Sequence, residues 1–137
     1  MPLFSQMMQR FNKGVTMAKD GVTIIRAAEE DMSAYGHVNS RNKKLMFQRL
    51  YVSDPETGMI VKKIIYPAGC MIPLHTHDCA HGIYVIKGTL VTDDGELGPG
   101  DFIWWEEGVR MEHGAGDEDV ELLFISNKPV NMNYLDA

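Results

Sequence analysis

Short β-type runs alternate with tight-turn residues through most of this 137-residue chain. The runs begin at Val22–Arg26 and continue at residues 44–52, 59–66, 89–92 and 121–125. The turns between them contain Asp54-Pro55, Thr57-Gly58, Asp93-Asp94-Gly95 and Gly98-Pro99-Gly100. Glycine and proline supply the backbone angles that such turns need. Strands of about four to eight residues with turns at this density indicate an all-β barrel or sandwich.

Length and composition predict one soluble globular domain. The chain is long enough for one hydrophobic core and short for two. Its hydrophobic share of 45% and charged share of 23% are ordinary for such a domain. The net charge of -6 argues against a nucleic-acid partner, because phosphate contacts need clustered Lys and Arg.

The sequence predicts a cytoplasmic protein. No apolar run reaches the roughly 18 to 20 residues that a membrane span needs, and the N-terminus lacks a signal-peptide pattern. The two cysteines, Cys70 and Cys79, do not have the spacing of a disulfide framework or a zinc knuckle. We expect both to behave as small buried hydrophobic residues.

Residues 1–20 carry apolar side chains at helical spacing, among them Leu3, Met7 and Phe11. A segment this short is not stable alone, so its apolar face should pack on the domain or on a second subunit. We expect an N-terminal arm or short helix over residues 1–20 and a single domain over residues 21–137.

Three of the five histidines, His75, His77 and His81, fall within seven residues. On a strand, His75 and His77 leave the same face because side chains alternate. His81 opens the next β-type run, so two strands of a hairpin could direct all three imidazoles to one point. Neutral imidazole binds zinc, copper, iron and nickel. A metal site is favoured over unrelated core or surface histidines, because an H-x-H pair stands beside a third histidine in a β-rich chain.

The stretch from Gly69 to Gly88 resembles the first motif of the cupin superfamily, G-x5-H-x-H-x3,4-E-x6-G. Gly69, His75, His77 and Gly88 occupy its positions, and His81 stands where the family places a metal-binding glutamate. The resemblance covers about residues 45–127. It implies a cupin-type β-barrel, also called a double-stranded β-helix or jelly roll. It also implies a bound divalent metal, and His81 makes the expected ligand set all-histidine.

The second cupin motif is matched by Gly100-Asp101 and Gly108, but its histidine position holds Met111. His113 lies two residues further on, and a shift of two keeps a side chain on the same face of a strand. A longer turn at residues 106–108 could absorb the displacement. We expect His113 to be the fourth metal ligand and Met111 to line the pocket. The alternative is a three-histidine site with His113 facing solvent.

The all-histidine set resembles that of the cupin dioxygenases, of which acetylacetone dioxygenase is one. This implies an enzyme that acts on a small enolisable or dicarbonyl molecule with iron, manganese, zinc or nickel. One alternative is a non-redox isomerase, lyase or cyclase that uses the metal as a Lewis acid. Another is a cupin that binds a small ligand without turnover. Because cupins are often dimers, a homodimer is also implied.

Carboxylates are scarce within the two motifs, so Tyr84 and Arg110 are the candidates for polar catalytic residues. The alternative is that Tyr84 packs in the core and Arg110 faces solvent. His37 lies in a polar, turn-rich segment and is a weaker candidate for substrate contact. In the strand that contains Trp104 and Trp105, one indole must face inward and the other outward.

Overall fold

The computed structural model describes residues 15–135 in two compact units that divide after Ala34. The first unit contains an antiparallel hairpin of β1 (Val15–Lys19) and β2 (Val22–Ile25). A 3-10 helix at Ala27–Glu29 follows, and a second spans Met32–Tyr35. Residues 1–14 of the expected arm lie outside the described residues, and its residues Val15–Lys19 form strand β1 and not a helix. The expected domain boundary after residue 20 therefore stays a prediction.

The second unit consists mainly of strands. They are β3 (Gly36–Val38), β4 (Leu45–Ser53), β5 (Ile60–Tyr66), β6 (Met71–Thr76), β7 (His81–Lys87), β8 (Leu90–Thr92), β9 (Gly95–Leu97), β10 (Phe102–Trp105), β11 (Met111–Ala115), β12 (Val120–Ser126) and β13 (Asn133–Tyr134). One sheet has the order β10-β7-β12-β5-β4-β3 and the other the order β13-β6-β11-β8-β9. Neighbouring strands are antiparallel. The all-β architecture predicted from the turn density is confirmed.

Both sheets contribute to one core. Along β12, the alternate residues Val120, Leu122 and Phe124 are buried, which is the pattern of a strand with one face inward. The same cluster takes in Ile72 from β6 and Leu90 from β8. Full burial of a side chain of this size contributes about 1.5–3 kcal/mol. The core therefore holds the two sheets face to face.

Both cysteines are buried and neither forms a disulfide, as the sequence predicts. Cys70 precedes β6 and is 1% exposed, and Cys79 precedes β7 and is fully buried. Burial raises the pKa of each thiol, because it disfavours the thiolate. Both therefore stay protonated near neutral pH and act as packing residues.

Gly114 allows β11 and β6 to approach closely beside the histidine cluster. A Cβ atom at this position would lie 2.1 Å from the carbonyl oxygen of Cys70 and 2.7 Å from the Cα atom of Met71. Both atoms belong to the backbone and cannot move aside like a flexible side chain. The strand that carries His113 therefore needs glycine at position 114.

The pairing of β6 with β11 contains a β-bulge. Met111 pairs with His75, but His113 pairs with Ile72, so β6 uses one more residue than β11 over this interval. The extra residue falls at Pro73–Leu74, where proline fits because it has no N–H to donate to the ladder. As a result Ile72 and His75 are both buried although they are three residues apart. The irregularity that sequence reasoning placed in the turn at residues 106–108 lies in β6.

Candidate metal centre

The four histidines named from the sequence as metal ligands lie together in the interior. His75 lies near the end of β6, His77 just after it, His81 at the start of β7 and His113 in β11. Ring centroids are 4.7 Å apart for His75 and His77, 4.4 Å for His77 and His81, and 5.2 Å for His75 and His113. Each residue is at most 4% exposed. His113 thus lies beside His75, although Met111 is the residue of β11 that pairs with His75.

Backbone carbonyls fix the tautomers of two of the rings. His75 Nδ1 lies 2.6 Å from the carbonyl oxygen of Pro73, and His77 Nδ1 bonds the carbonyl oxygen of Asn131. A carbonyl can only accept, so in both rings Nδ1 carries the proton and Nε2 keeps a free lone pair. Metal-binding histidines are typically oriented in this way, with the second nitrogen donating to a carbonyl or carboxylate.

His113 shows a related arrangement. Its Nδ1 lies 3.4 Å from the hydroxyl oxygen of Tyr66, while its Nε2 is buried without a hydrogen-bond partner among the described residues. The Nε2 atom of His75 is likewise buried and unpartnered within that part of the chain. A buried polar atom without a partner costs about 1–3 kcal/mol. A cation bound to these nitrogens would accept their lone pairs and so remove this cost.

His81 has the most unusual surroundings of the four. Its ring stacks between Trp105 and Phe124, each with a centroid separation of 5.0 Å. Neither ring nitrogen has a hydrogen-bond partner in the part of the chain that the structure describes. The two aromatic faces fix the plane of the imidazole without using its nitrogens.

Burial lowers the pKa of all four imidazoles, because it disfavours the charged form. The pKa of His77 falls to about 4 and that of His81 to about 3. Burial also lowers the pKa of His75, and it holds that of His113 well below the ordinary value of 6.5. The rings are therefore neutral near pH 7, which is the protonation state that binds metals.

As the side chains stand, no three His, Cys, Asp or Glu residues between positions 15 and 135 have ligating atoms arranged to hold an ion. The ring positions are nevertheless suited to one. Imidazole nitrogen binds zinc at about 2.0–2.1 Å, which puts the ring centroid about 3.2 Å from the ion. Two such rings at about 90 to 109° would have centroids about 4.5–5.2 Å apart. The separations of the pairs His75–His77, His77–His81 and His75–His113, 4.4–5.2 Å, agree with this range. The terminal torsion of histidine is soft enough for small rotations that would aim the nitrogens at a common ion.

A cavity of about 70 Å³ borders three of the four clustered histidines, His75, His77 and His113. At the roughly 30 Å³ that a water molecule occupies in the liquid, this volume corresponds to about two water molecules. Other polar groups on its wall come from Lys62, Gln48, Tyr66, Asn39 and His37, and its apolar wall from Met46, Ile64, Ile72, Phe124, Val130 and Met132. His81 is not among the residues that line the cavity. The site is therefore suited to a small ligand.

Lys62 is a functional candidate that the sequence analysis missed. It lies on β5, where its Nζ is 2.6 Å from Gln48 Oε1 and 4.9 Å from the centroid of the Phe124 ring. Burial lowers its pKa to about 8. The signal was available in the adjacent pair Lys62-Lys63, because on a strand one of two neighbouring lysines must face inward. Lys63 faces outward and pairs with Glu121 at 2.6 Å.

The structure does not bring Tyr84 or Arg110 to the cavity. Tyr84 is 44% exposed, because β7 buries Ile83 and Val85 on its inward face and the side chain between them points outward. Arg110 is exposed and lies just before β11. Their positions therefore do not support the catalytic roles considered for them.

The remaining sequence expectations concern His37, Met111 and the two tryptophans. His37, on β3, borders the cavity and is exposed. Met111 is buried but does not line the cavity as expected, because its strand presents His113 there instead. Trp105 faces inward at 3% exposure and Trp104 faces outward at 43%.

The C-terminal segment completes the site. Val130 and Met132 line the cavity, and the carbonyl of Asn131 between them accepts the bond from His77. The side chain of Asn131 is bonded to Asp78, through the Asp78 backbone N–H at 2.9 Å and the Asp78 carboxylate at 2.5 Å. Asn133 donates to the same carboxylate at 3.0 Å. Asp78 thus anchors the segment that orients His77.

Among the described residues, none of the helices is long and apolar enough to cross a membrane. Comparison with curated proteins finds no match. A cupin-like protein of Thermotoga maritima is 20% identical, with a TM-score of 0.66 over 79% of this chain and 90% of its own. The polyketide cyclase RemF of Streptomyces resistomycificus is 20% identical, with a TM-score of 0.58 over 67% of this chain and 72% of its own.

The complex of SigE with the anti-sigma ChrR from Rhodobacter sphaeroides also contains this fold. The match has 20% identity and a TM-score of 0.53 over 59% of this chain and 43% of that one. The chain spans 62% and 66% of the length of two cupin-fold proteins of Ralstonia eutropha. At these identities the likeness shows the fold.

The family described as the ChrR cupin-like domain matches residues 28–131. This range includes all four clustered histidines, the bulged strand β6 and every strand of the two sheets of the second unit except β13. The resemblance to cupins seen in the two sequence motifs is therefore confirmed, and the chain belongs to the ChrR cupin-like family of the cupin superfamily.

Proposed function

We propose that this protein is a metal-dependent enzyme that acts on a small enolisable or dicarbonyl molecule, as a dioxygenase with an all-histidine metal site. One observation carries the proposal: four buried, neutral imidazoles lie side by side, and three of them have unpartnered nitrogens among the described residues. Leaving these nitrogens unpaired is unfavourable, so the cluster is best explained by a cation that they share.

His75, His77, His81 and His113 would hold the ion, the first two and His113 through Nε2. The donor set is all nitrogen and neutral, which suits zinc, iron, nickel or manganese better than hard cations that prefer oxygen. When bound, the ion supplies Lewis acidity toward a carbonyl or enolate oxygen and, if redox-active, the electron transfer that dioxygen chemistry requires.

The chain's own residues prepare the cavity for such a ligand. Met46, Ile64 and Phe124 provide apolar walls that exclude bulk water, which strengthens electrostatic interactions inside. Burial raises the pKa of Tyr66, so its hydroxyl stays protonated. It can accept the Nδ1–H of His113 and donate its own hydrogen toward a ligand oxygen.

A second candidate is a non-redox isomerase, lyase or cyclase, and Lys62 is the observation that favours it. With a pKa of about 8 and a place on the cavity wall, Lys62 can populate both protonation states near neutral pH. A group of this kind can give or take a proton at a carbon next to a carbonyl.

The test is metal analysis combined with oxygen uptake. The purified protein would be analysed for metals, then reconstituted separately with Fe²⁺ and Zn²⁺ and assayed with a β-diketone such as acetylacetone. Oxygen uptake only in the iron form supports the dioxygenase. Substrate turnover without oxygen uptake supports the second candidate. Saturable binding without turnover contradicts both enzyme proposals, and failure to bind any metal contradicts the site itself.

A further inference from the structure

We propose that the cavity takes an anionic ligand, a small carbonyl compound bearing a carboxylate, and that Lys62 binds this carboxylate. The inference rests on the proposed function, since the metal would engage the carbonyl end of the same ligand. It deepens that function by naming the substrate class and the residue that selects it.

Lys62 is a largely buried cation without a charged partner in the described part of the chain. Its Nζ contacts the neutral amide oxygen of Gln48 at 2.6 Å and lies over the ring of Phe124 at 4.9 Å. Two other lysines have carboxylate partners: Lys63 pairs with Glu121 and Lys128 with Glu107, both at 2.6 Å. Burying a charge is unfavourable unless it is paired. An anion in the cavity would provide the missing pair.

No other lining group supplies that negative charge. The cavity wall, taken over the described residues, contains no aspartate or glutamate. Four neutral imidazoles leave the full charge of a divalent ion uncompensated, and Lys62 adds a further positive charge. In a small cavity with a low dielectric constant, such charges interact strongly with a ligand. A carboxylate next to an enolisable carbonyl would neutralise Lys62 at one end and the ion at the other.

Gln48 positions the ammonium group of Lys62 at the cavity. It lies on β4 and pairs with Ile64 of β5, while Lys62 pairs with Leu50 of β4, so Gln48 and Lys62 are diagonal neighbours on the inward face. The amide oxygen of Gln48 accepts one hydrogen of the ammonium group, which leaves two for a ligand. Gln48 therefore holds the ammonium group at the cavity wall without neutralising it.

Acetoacetate and acetoacetamide form a matched pair of probes, because replacing one carboxylate oxygen with NH₂ removes the charge at nearly constant size. Their dissociation constants would be measured by titration calorimetry on metal-loaded protein and on metal-free protein whose fold is checked by circular dichroism. For the wild type we expect acetoacetate to bind at least about ten-fold more tightly than acetoacetamide in both states, since the amide oxygen can still accept a hydrogen bond but no longer carries the charge that pairs with Lys62.

Three variants identify the residue responsible. Lys62→Met keeps the length of the side chain and should reduce the preference to near unity, while Lys62→Arg should retain a clear preference. Lys87→Met makes the same change at an exposed position of β7 and should keep the wild-type ratio. Metal content should be the same in all of them.

Equal affinity of the wild type for the two probes, including no binding of either, would overturn the inference. So would an undiminished preference in Lys62→Met. Metal content separates this failure from failure of the proposed function: wild-type protein that holds no metal would contradict the metal site, whereas the probe ratio in metal-free protein reports on Lys62 alone.

Discussion

The Nδ1–H of His77 donates to the backbone carbonyl of Asn131, a residue 54 positions further along the chain. This bond links the connection between β6 and β7 to the segment that follows β12. The two strands lie in different sheets and do not form the hairpin expected from the sequence. The bond leaves His77 Nε2 free and aims it away from Asn131. The orientation of one proposed ligand is therefore set by a part of the chain outside the histidine motif.

Asp78→Ala should weaken metal binding although Asp78 is exposed. The substitution removes the carboxylate that accepts from Asn131 and Asn133, so the carbonyl that orients His77 loses its anchor. Loss of such outer partners typically costs about ten-fold or more in metal affinity. Competition with a chelator would measure the effect. Asp117→Ala, an exposed acid away from the site, is the control and should bind metal as the wild type does. Equal affinity in both variants would show that the anchor is dispensable.

His81→Phe should change stability and metal binding in opposite directions. Phenylalanine keeps the stacking between Trp105 and Phe124 and removes two buried nitrogens that have no partner among the described residues. The metal-free variant should therefore be more stable than the metal-free wild type by about 1–3 kcal/mol. Its metal affinity should fall. Urea unfolding and elemental analysis would test the pair of effects, and a destabilised variant that retains its metal would contradict both.

Metal removal should lower the melting temperature of the wild type. A ligand that binds only the folded state at a free concentration of about 100 times Kd stabilises it by about 2.7 kcal/mol. His77→Ala should abolish the shift between metal-loaded and chelated protein, and His113→Ala should reduce it. His37→Ala changes a cavity histidine outside the cluster and should keep the full shift. A full shift in His77→Ala would remove that residue from the ligand set.

The metal-free protein should lose stability on acidification below about pH 6.5. The folded-state pKa of His77 is about 4 and that of His81 about 3, both below the ordinary value of 6.5. Between these values the unfolded chain binds more protons than the folded one, so the free energy of unfolding falls as the pH falls. Urea midpoints from pH 7 to pH 4.5 would record the slope. The slope should be shallower in His81→Phe, and identical slopes would contradict a neutral buried His81.

Gly114→Ala should destabilise the protein, since the new Cβ would meet the Cys70 carbonyl at 2.1 Å. Overpacking of this kind costs about 1–3 kcal/mol. Gly116→Ala is the matched control two residues further on, where the nearest contact would be 3.4 Å from Val91 Cγ2, and it should be close to neutral. Thermal unfolding of the two variants would compare them, and equal melting temperatures would show that the sheets do not need the close approach.

Strand alternation was sufficient to predict that His75 and His77 share a face, and turn chemistry was sufficient for the all-β fold. Met111 and His113 are both buried on β11, so alternation could not choose between them, and the one-residue bulge in the facing strand β6 was not predicted. Proline at position 73 was the available signal for this bulge. Its effect on strand β11 is a tertiary consequence that local patterns do not contain.

The cavity wall was harder to predict, because its residues come from strands far apart in the chain. Lys62, Tyr66 and Gln48 lie outside both motifs and reach the site only through the pairing of β4 and β5. Tyr84 and Arg110 lie within or near the motifs and still face away. In a barrel, closeness to a motif in the sequence does not show that a residue lines the site. Side chains alternate along each strand, so every second residue points away from the interior.

X-ray absorption spectroscopy of zinc-reconstituted protein tests the central claim most directly. The account predicts a first shell of nitrogen or oxygen atoms only, at about 2.0–2.1 Å, with the scattering pattern of three or four imidazoles. A sulfur scatterer at about 2.3 Å, from Cys70 or Cys79, would contradict it, as would a shell with no more than one imidazole.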